Sequence, residues 1–348
     1  MRDFDIELEK LKKNSFVFLL VFVVLFVFCF LFKFTSDVKE KQAKARYEHK
    51  TNEAFLSSFI ITFNRLKNLH NKDEIKIKGV EPSLIKPFNV RIEDDNLGTK
   101  SQLSVYQMAD NLTISSLQRQ LYEKFQKLVN FPKVQSGILL YSFLDKKFKY
   151  FYEFDLLTPR VFSNGVNKIK YYGINWMSND ALSNNAKVMF YNNLDDFAVK
   201  ILTYGDEVYL YRTNLQFTPY SLYENMMSKA QKYRGTKFLT SSDMLAVPVI
   251  KPPVRNNYFF LDDKEIENSN KMKISKAFWD FEIKLSSCGL NCTASAKLKP
   301  LNSSDFDNYK CDRDFNFNKP FVLFLKEKKA LKPYYILFVD NDNILEKY

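Results

Sequence analysis

The sequence predicts an α+β fold, because helical periodicity dominates the first part of the body and strand patterns dominate the rest. Apolar residues before residue 70 recur at the three- and four-residue steps of an amphipathic helix: Phe55, Leu56, Phe59, Ile60, Phe63, Leu66 and Leu69. From Ser136 on, short segments rich in Phe, Tyr, Val and Ile alternate with Asn, Asp and Lys turns. Helices first and strands later are typical of an α+β domain, and no internal repeat or Pro- or Gly-rich linker divides it.

Further helices are expected within residues 103–129 and 220–233. The first of these would carry Leu117, Leu121, Phe125 and Leu128 on one face. Residues 74–79 alternate like a short strand. The alternating or apolar segments after Ser136 predict strands at 137–142, 148–154, 166–172, 187–191, 197–202, 208–211, 245–250, 258–261, 278–285, 321–325 and 334–339.

Composition argues against several functional classes. The 348 residues are 46% hydrophobic, with 34 Phe and 20 Tyr, which excludes a disordered chain. The two histidines, His49 and His70, both lie early, and no GxxxxGK[ST], GxGxxG, GxSxG or CxxC motif occurs. An enzyme is therefore disfavoured, and neither a cofactor nor a metal is expected. The basic residues that give the net charge of +12 are interleaved with Asp and Glu, which indicates a solvated surface rather than a nucleic-acid site. We expect a monomer.

The N-terminus contains an uncharged run, residues 15–32, that is long enough to cross a bilayer as a helix. We expect a tail at 1–14, a transmembrane helix or uncleaved signal anchor at 15–34, a charged stalk at 35–50 and one domain at 51–348. A cleaved signal peptide is the alternative, although the sequence after Phe32 is a poor cleavage site. Lys and Arg flank the run on both sides, so its orientation stays open.

Residues 283–299 carry an unusual alternation. Ile283 and Leu285 alternate with polar residues as in a half-buried strand, and after Gly289 the alternation resumes on the opposite parity. Glycine permits the break between the two strands, because it adopts backbone angles that other residues avoid. The apolar positions of the second strand are mostly small: Leu290, Cys292, Ala294, Ala296 and Leu298. Such a strand could fit between existing strands, or it could be the second strand of an ordinary hairpin. The polar tract 302–314 that follows reads as an exposed loop.

This part of the chain resembles a serpin. The segment from Lys273 through Leu285 to Gly289, with the small residues after it, is similar to the family's central strand and reactive-loop hinge. Residues 317–325 are similar to the motif after the reactive loop. Supporting similarities cover the Val166–Trp176 strand motif, the strand at 187–191, the Tyr204-Gly-Asp-Glu207 turn, Val247-Pro248 and the closing strand 335–339. The resemblance extends over most of residues 52–345.

The resemblance implies N-terminal helices packed on a large central mixed β-sheet, two smaller sheets and an exposed reactive loop at about 287–314. It implies an inhibitor of a serine or cysteine protease, with an extracytoplasmic domain that is membrane-anchored, or secreted if the N-terminal segment is cleaved. The implied hinge residues are Ser287, Gly289, Leu290, Asn291, Cys292, Thr293, Ala294, Ser295 and Ala296. The implied cleavage sites are Ser303–Ser304, counted from the hinge, and Tyr309–Lys310, counted back from the downstream motif.

Two other interpretations stay open. The family's hinge usually carries Glu, Gly, Thr, Glu and alanines, and Ser287, Leu290, Asn291 and Cys292 replace most of these here. That favours a non-inhibitory serpin-like binding or structural protein. An unrelated anchored α+β surface domain is the third interpretation. A disulfide among Cys288, Cys292 and Cys311 would tether the hinge in an oxidising compartment. Trp279 stands where the family usually has a buried histidine.

Overall fold

A computed structural model describes residues 52–69, 74–90, 102–108, 110–134, 136–146, 150–175, 178, 180–215, 218–251, 253–267, 269, 271–282 and 311–348. Its helices are α1 (Ser57–Leu69), α2 (Pro82–Ile85), α3 (Asn111–Phe125), α4 (Asp180–Ser183) and α5 (Pro219–Lys232). Its strands are β1 (Glu53–Leu56), β2 (Gln102–Met108), β3 (Ile138–Asp145), β4 (Asp155–Val161), β5 (Lys168–Ile174), β6 (Ala186–Asn193), β7 (Asp196–Ile201), β8 (Glu207–Arg212), β9 (Asp243–Pro248), β10 (Arg255–Asn257), β11 (Lys264–Glu265), β12 (Lys273–Glu282), β13 (Arg313–Asn316), β14 (Phe321–Lys326) and β15 (Tyr335–Val339).

Across the described residues the strands form three sheets, and the predicted α+β fold is confirmed. The mixed sheet has five strands in the order β10-β12-β3-β2, with β11 beside β12. A six-stranded antiparallel sheet has the order β1-β15-β14-β8-β7-β6, and a four-stranded sheet has the order β13-β9-β5-β4. The mixed sheet is the one that carries the chain into residues 283–310.

Both faces of the mixed sheet are covered, which explains why its central strands are almost wholly apolar. Leu117 and Leu121 of α3 pack on one face, where they meet Tyr141 of β3 and Phe278 of β12. Helix α1 packs on the other face against β2 and β3. Strand β3 is buried along nearly its whole length, as expected of a strand that is covered on both sides. The predicted packing of N-terminal helices on a mixed sheet is thereby confirmed.

The other two sheets meet through aromatic side chains. Phe197 of β7 packs edge-on against Phe315 of β13, with the ring centroids 5.5 Å apart. Helix α5 covers the six-stranded sheet, and its Tyr223 packs against Tyr209 of β8 and Phe324 of β14. Aromatic side chains bury large areas, so this contact region fixes β13 against the body of the molecule.

Two predicted helical segments begin with strands instead. Residues 53–56 form β1 because they pair with β15 along the edge of the six-stranded sheet. The expected helix at 103–129 is divided into β2 and α3. The division occurs at Asp110, whose carboxylate accepts a hydrogen bond from the Thr113 N–H at 2.6 Å and caps α3. The helix ends at Gln126, which adopts a left-handed conformation with φ of 55°, so Leu128 lies beyond it.

Several short predicted strands are wrong for a common reason: apolar side chains pack into the core without a backbone partner. Of the predicted strand 148–154 the structure describes residues 150–154, and among these Tyr150 forms an isolated bridge, to Thr203, while the next strand starts at Asp155. Residues 258–261 form a turn, in which the Leu261 N–H donates to the Tyr258 carbonyl at 2.8 Å. Within 74–79 only Ile77 forms a bridge. The tract predicted as a loop to residue 314 already enters β13 at Arg313.

Residues 168–174 of the Val166–Trp176 motif form β5, which belongs to the four-stranded sheet, whereas β3 is the neighbour of β12. The helix over the mixed sheet, α3, precedes β3. Gly173 of the motif has a φ of 159° and lies against the backbone of Leu245 in β9, where a Cβ atom would collide with it. The glycine therefore serves the close approach of β5 and β9.

The helices in the described part of the chain include none that is long and apolar enough to cross a membrane. The run at 15–32, the tail and the stalk all lie outside the described residues.

The contribution of α3 can be measured with two leucines of the same helix. Leu121 is 0% exposed and Leu112 is 82% exposed. We expect Leu121→Ala to lower the free energy of unfolding by about 2–5 kcal/mol, because it leaves a cavity against the mixed sheet. Leu112→Ala is the control, and we expect a change within about 0.5 kcal/mol. Denaturant unfolding gives both values, and equal losses would contradict the packing described here.

Candidate functional site

The predicted hinge and cleavage residues all fall in residues 283–310, which lie outside the described residues. They are Ser287, Gly289, Leu290, Asn291, Cys292, Thr293, Ala294, Ser295, Ala296, Ser303, Ser304, Tyr309 and Lys310. The structure describes both ends of this segment. The chain leaves β12 at Glu282 in the mixed sheet and re-enters at Cys311, just before β13 in the four-stranded sheet. The segment therefore joins two different sheets.

The upstream end lies at a parallel pair of strands, which we call the seam. The seam is the ladder between β3 and β12, from Ile138↔Ile274 to Asp145↔Glu282, with a shift in register near Lys276. The other partners of both strands are antiparallel. Because β3 and β12 point the same way, their carboxyl ends lie together at the place where the chain leaves the sheet. A parallel ladder is slightly less stable per residue than an antiparallel one.

Three side chains connect neighbouring strands on the α3 face of the seam. Arg255 of β10 binds the Asp280 carboxylate of β12 with two hydrogen bonds, of 2.6 and 2.9 Å. Asp280 also accepts a hydrogen bond of 3.0 Å from the Tyr141 hydroxyl of β3. The last of these bonds crosses the seam itself. Arg255 donates further to the Asn130 carbonyl at 3.0 Å, which ties the segment after α3 to the same cluster.

The charges of this cluster favour the hydrogen bonds as described. Burial, and then the Asp280 carboxylate, raise the pKa of Tyr141 far above its usual value, so the hydroxyl stays protonated and donates. The hydrogen bond to Asp280 raises the pKa of Arg255. A bidentate arginine–carboxylate pair is a strong charge-assisted contact, and it holds Asp280 in position to accept from Tyr141.

The opposite face of the seam combines tight packing with unsatisfied polar groups. Trp279 is 0% exposed, and its indole N–H donates to the Tyr258 hydroxyl at 2.9 Å. Its ring packs edge-on against Tyr335 of β15. The Ser142 and Tyr335 hydroxyl oxygens are buried and, within the described residues, have no hydrogen-bond partner. An unsatisfied buried polar atom costs about 1–3 kcal/mol, so the closed seam carries a destabilising contribution on this face.

The downstream end of the segment is held firmly by Arg313 in β13. Its guanidinium binds Asp243 of β9 at 2.6 and 3.0 Å and donates to the carbonyls of Thr236 and Phe238. Strand β13 also pairs with β9 along its length. Cys311 is half-buried and has no disulfide partner among the described residues, and burial raises the pKa of its thiol. Its predicted partners, Cys288 and Cys292, lie outside the described residues, so the disulfide stays a prediction.

The sequence reasoning missed the seam residues. One signal was present: Asp280 is the charged residue within the apolar run Phe278-Trp-Asp-Phe281, and a charge in a buried strand requires a partner. Its partner Tyr141 is 139 positions away, which no local pattern indicates. Among the described residues, no cluster of His, Cys, Asp or Glu could hold a metal ion.

Removing the Tyr141 hydroxyl tests the hydrogen bond that crosses the seam. We expect Tyr141→Phe to lower the free energy of unfolding by about 1.5–3 kcal/mol, the range for hydrogen bonds to charged groups. Tyr335→Phe is the matched control, because it removes a buried hydroxyl that has no partner in the described residues, and we expect it to leave stability unchanged or higher. Equilibrium denaturation measures both, and similar losses in the two variants would contradict the role of Tyr141.

Comparison with known proteins finds similarity in structure but not in sequence. No family model matches the sequence, and no curated protein matches it. A highly specific serpin of the insect Tenebrio molitor is similar to the chain at 10% identity and a TM-score of 0.46, covering 84% of this chain and 92% of that one. A serpin from Schistosoma mansoni is similar at 13% identity and a TM-score of 0.45, covering 85% and 90%.

A third similar structure is thyroxine-binding globulin in complex with thyroxine, with 8% identity, a TM-score of 0.48 and coverage of 87% of this chain and 98% of that one. The insect and Schistosoma proteins are serpins, the family that the motifs on either side of residues 283–310 resemble.

Proposed function

We propose that the chain is a serpin-like inhibitor of a serine or cysteine endopeptidase, and that residues 283–310 are its bait. One observation carries the proposal: the segment leaves the sheet at the shared carboxyl ends of two parallel neighbours, β3 and β12. A strand that turns back at Glu282 and enters the seam runs antiparallel to both neighbours. Insertion therefore replaces one parallel ladder with two antiparallel ladders, a net gain of backbone hydrogen bonds.

The length and side chains of the segment fit such a strand. Residues 290–298 are close in length to the ten residues of β12. Cys292, Ala294 and Ala296 share one parity and have small side chains, which a tightly packed sheet can accept. Leu290 and Leu298, at the two ends of the segment, are the larger side chains of this parity. A leucine at the entry of the seam must find room, and overpacking costs about 1–3 kcal/mol.

The closed seam is suited to a metastable state. The unsatisfied Ser142 and Tyr335 hydroxyls destabilise the closed form, whereas the Tyr141–Asp280 hydrogen bond must break before the strands separate. A state that is raised in free energy and held by contacts that must first break persists kinetically. Residues 283–310 would convert this stored free energy into movement once they are cleaved.

The chemistry belongs to the protease. Its nucleophilic oxygen or sulfur attacks the carbonyl carbon of Ser303 or Tyr309, the peptide bond to Ser304 or Lys310 breaks, and the leaving amine takes a proton. The acyl-enzyme that forms is normally hydrolysed by water. Insertion of the cleaved segment before that hydrolysis would carry the attached protease away from the bait and trap the ester or thioester. Inhibition is thus a competition between two rates, insertion and hydrolysis.

The proposal includes a location. A domain that meets proteases outside the cytoplasm agrees with an N-terminal run that can serve as an anchor at residues 15–34. In this proposal the domain is membrane-anchored, or secreted if the run is cleaved as a signal peptide.

A non-inhibitory serpin-like binding or structural protein is the second candidate. The specific observation in its favour is the hinge, where Leu290, Asn291 and Cys292 stand in place of the family's usual small or acidic residues. A slow insertion would let hydrolysis win, and the chain would then be cleaved as an ordinary substrate.

A panel of serine and cysteine proteases tests the proposal. We expect one protease to form a complex that survives denaturing electrophoresis, and we expect the cleaved chain to melt at a higher temperature than the intact chain, because the inserted strand adds two ladders. Sequencing of the released fragment locates the bait bond, and a cut outside 297–313 would contradict its placement. A rise in melting temperature without a stable complex would favour the second candidate, and no rise would exclude insertion altogether.

Two positions test which side chains become buried on insertion. We expect Ala294→Arg to abolish the rise in melting temperature after cleavage, because it places a charge inside a sheet that is covered on both faces. Asn302→Arg is the control, because it places the same side chain beyond the proposed strand 290–298, in the predicted exposed loop, and we expect it to keep most of the rise. Thermal unfolding of the cleaved variants measures both. If both arginines were tolerated, residues 290–298 would not be the inserted strand.

A further inference from the structure

Lys146 connects the end of β3 to a different sheet. It directly follows Asp145, the last residue of β3. Its ammonium group forms an ion pair with Glu327, and the Asp206 carboxylate lies 3.4 Å from it. Glu327 follows β14 and Asp206 precedes β8, so both carboxylates belong to turns of the six-stranded sheet. The three side chains are only 11%, 20% and 12% exposed, so water screens the contacts weakly.

The two turns that supply these carboxylates are themselves held in place. The Tyr334 hydroxyl donates to Asp206 at 2.7 Å, and Lys146 lies over the Tyr334 ring at 5.0 Å from its centroid. Burial, and then the Asp206 charge, raise the pKa of Tyr334 well above its usual value, so this hydroxyl stays a donor. Lys326 donates to the carbonyls of Glu327 and Ala330 at 3.0 Å each. Glu327 and Asp206 are therefore fixed relative to the six-stranded sheet.

We propose that the ion pairs of Lys146 keep the seam closed at the end where Asp145 pairs with Glu282. Adding a strand there separates β3 from β12 by about one further strand spacing, roughly 4.8 Å. If β3 moves, Lys146 is drawn away from carboxylates that cannot follow. Breaking a buried ion pair leaves uncompensated charges in a poorly solvated place, which opposes the movement strongly.

The position of Lys146 gives its ion pairs a specific role. The chain leaves β12 at Glu282, so an inserting strand enters the seam first beside Asp145. The Tyr141–Asp280 hydrogen bond lies further along the seam, at a later point on the same path. Lys146 thus controls the first step of opening, through two carboxylates that belong to a sheet containing neither seam strand. What the opening accomplishes rests on the proposed function; that Lys146 restrains it does not.

Hydrogen exchange of the intact chain tests, without any protease, whether Lys146 restrains the opening of the seam. We expect Lys146→Met to raise the opening equilibrium of amides at 143–145 and 280–282 by about tenfold or more, with little change at 138–140. Lys146→Arg keeps the charge, and we expect it to restore most of the protection. Lys170→Met is the matched control, because Lys170 forms an ion pair with Glu346 at 2.8 Å in the four-stranded sheet and does not contact the seam.

Glu327→Gln tests the same contact with less disturbance of the fold, since it keeps the volume of the side chain and removes only its charge. We expect it to raise exchange at the same amides. Unchanged exchange at 143–145 in both Lys146→Met and Glu327→Gln, or an equal rise over the whole chain, would overturn the inference.

Cleavage by a protease then separates this inference from the proposed function. We expect cleaved Lys146→Met to reach its more thermostable form faster than the cleaved unmodified chain. Faster local exchange without any thermostable cleaved form would support the restraint by Lys146 and contradict the proposed function. A thermostable cleaved form with unchanged exchange and an unchanged conversion rate would support the proposed function and contradict the restraint by Lys146.

Discussion

The parallel pairing of β3 with β12 is the constraint on which the rest of the structure depends. Two parallel neighbours cannot be joined by a short turn, so the chain leaves both strands at the same end of the sheet and must travel to another sheet before it continues. It does so through residues 283–310, from β12 to β13. With α3 on one face and α1 on the other, the seam has no exposed face. A new strand can therefore enter only from the end, between Asp145 and Glu282.

Elements that carry their own regular pattern could be predicted from the sequence, and elements that depend on a distant partner could not. Strands β6, β7, β8, β14 and β15 carry their own alternating or apolar pattern and lie where that pattern predicts. Strands β10 and β11 pair over only a few residues of β12, so their edge partner determines them more than their composition does. Residues 258–261 show the opposite case, since Tyr258 is apolar enough for a strand but packs against Phe59 and Phe88 instead.

The site could be predicted only where its residues form a local pattern. Gly289 and the small residues after it form a local pattern, whereas Tyr141, Asp280 and Lys146 acquire their roles only when distant strands meet.

Opposing contributions act on the two sides of the seam, and this balance distinguishes it from an ordinary buried sheet. On one side, the buried hydroxyls of Ser142 and Tyr335 have no hydrogen-bond partner in the described part of the chain, which raises the free energy of the closed form. On the other side, the Arg255–Asp280–Tyr141 cluster holds three adjacent strands together. Buried ionic groups often contribute little net stability, but the loss of one partner is costly, so they act mainly on the barrier to opening. In the proposed function, a sheet built in this way stays closed because opening is slow, and the closed form need not be the most stable one.

The same balance determines whether the chain would inhibit a protease or be consumed by one. Contacts that hold the seam closed before cleavage also slow insertion after cleavage, so they protect the intact chain and favour hydrolysis of the acyl-enzyme. An effective inhibitor needs contacts that break early and cooperatively once the entering strand begins to pair. Lys146 meets this requirement, because a single displacement of the end of β3 releases both of its carboxylates. In the proposed insertion Leu290 would act against it, because its bulk would arrive at the entry of the seam before any backbone pairing can compensate for the strain. The outcome thus depends on whether release at Lys146 precedes the obstruction at Leu290, and both act at the same end of the seam.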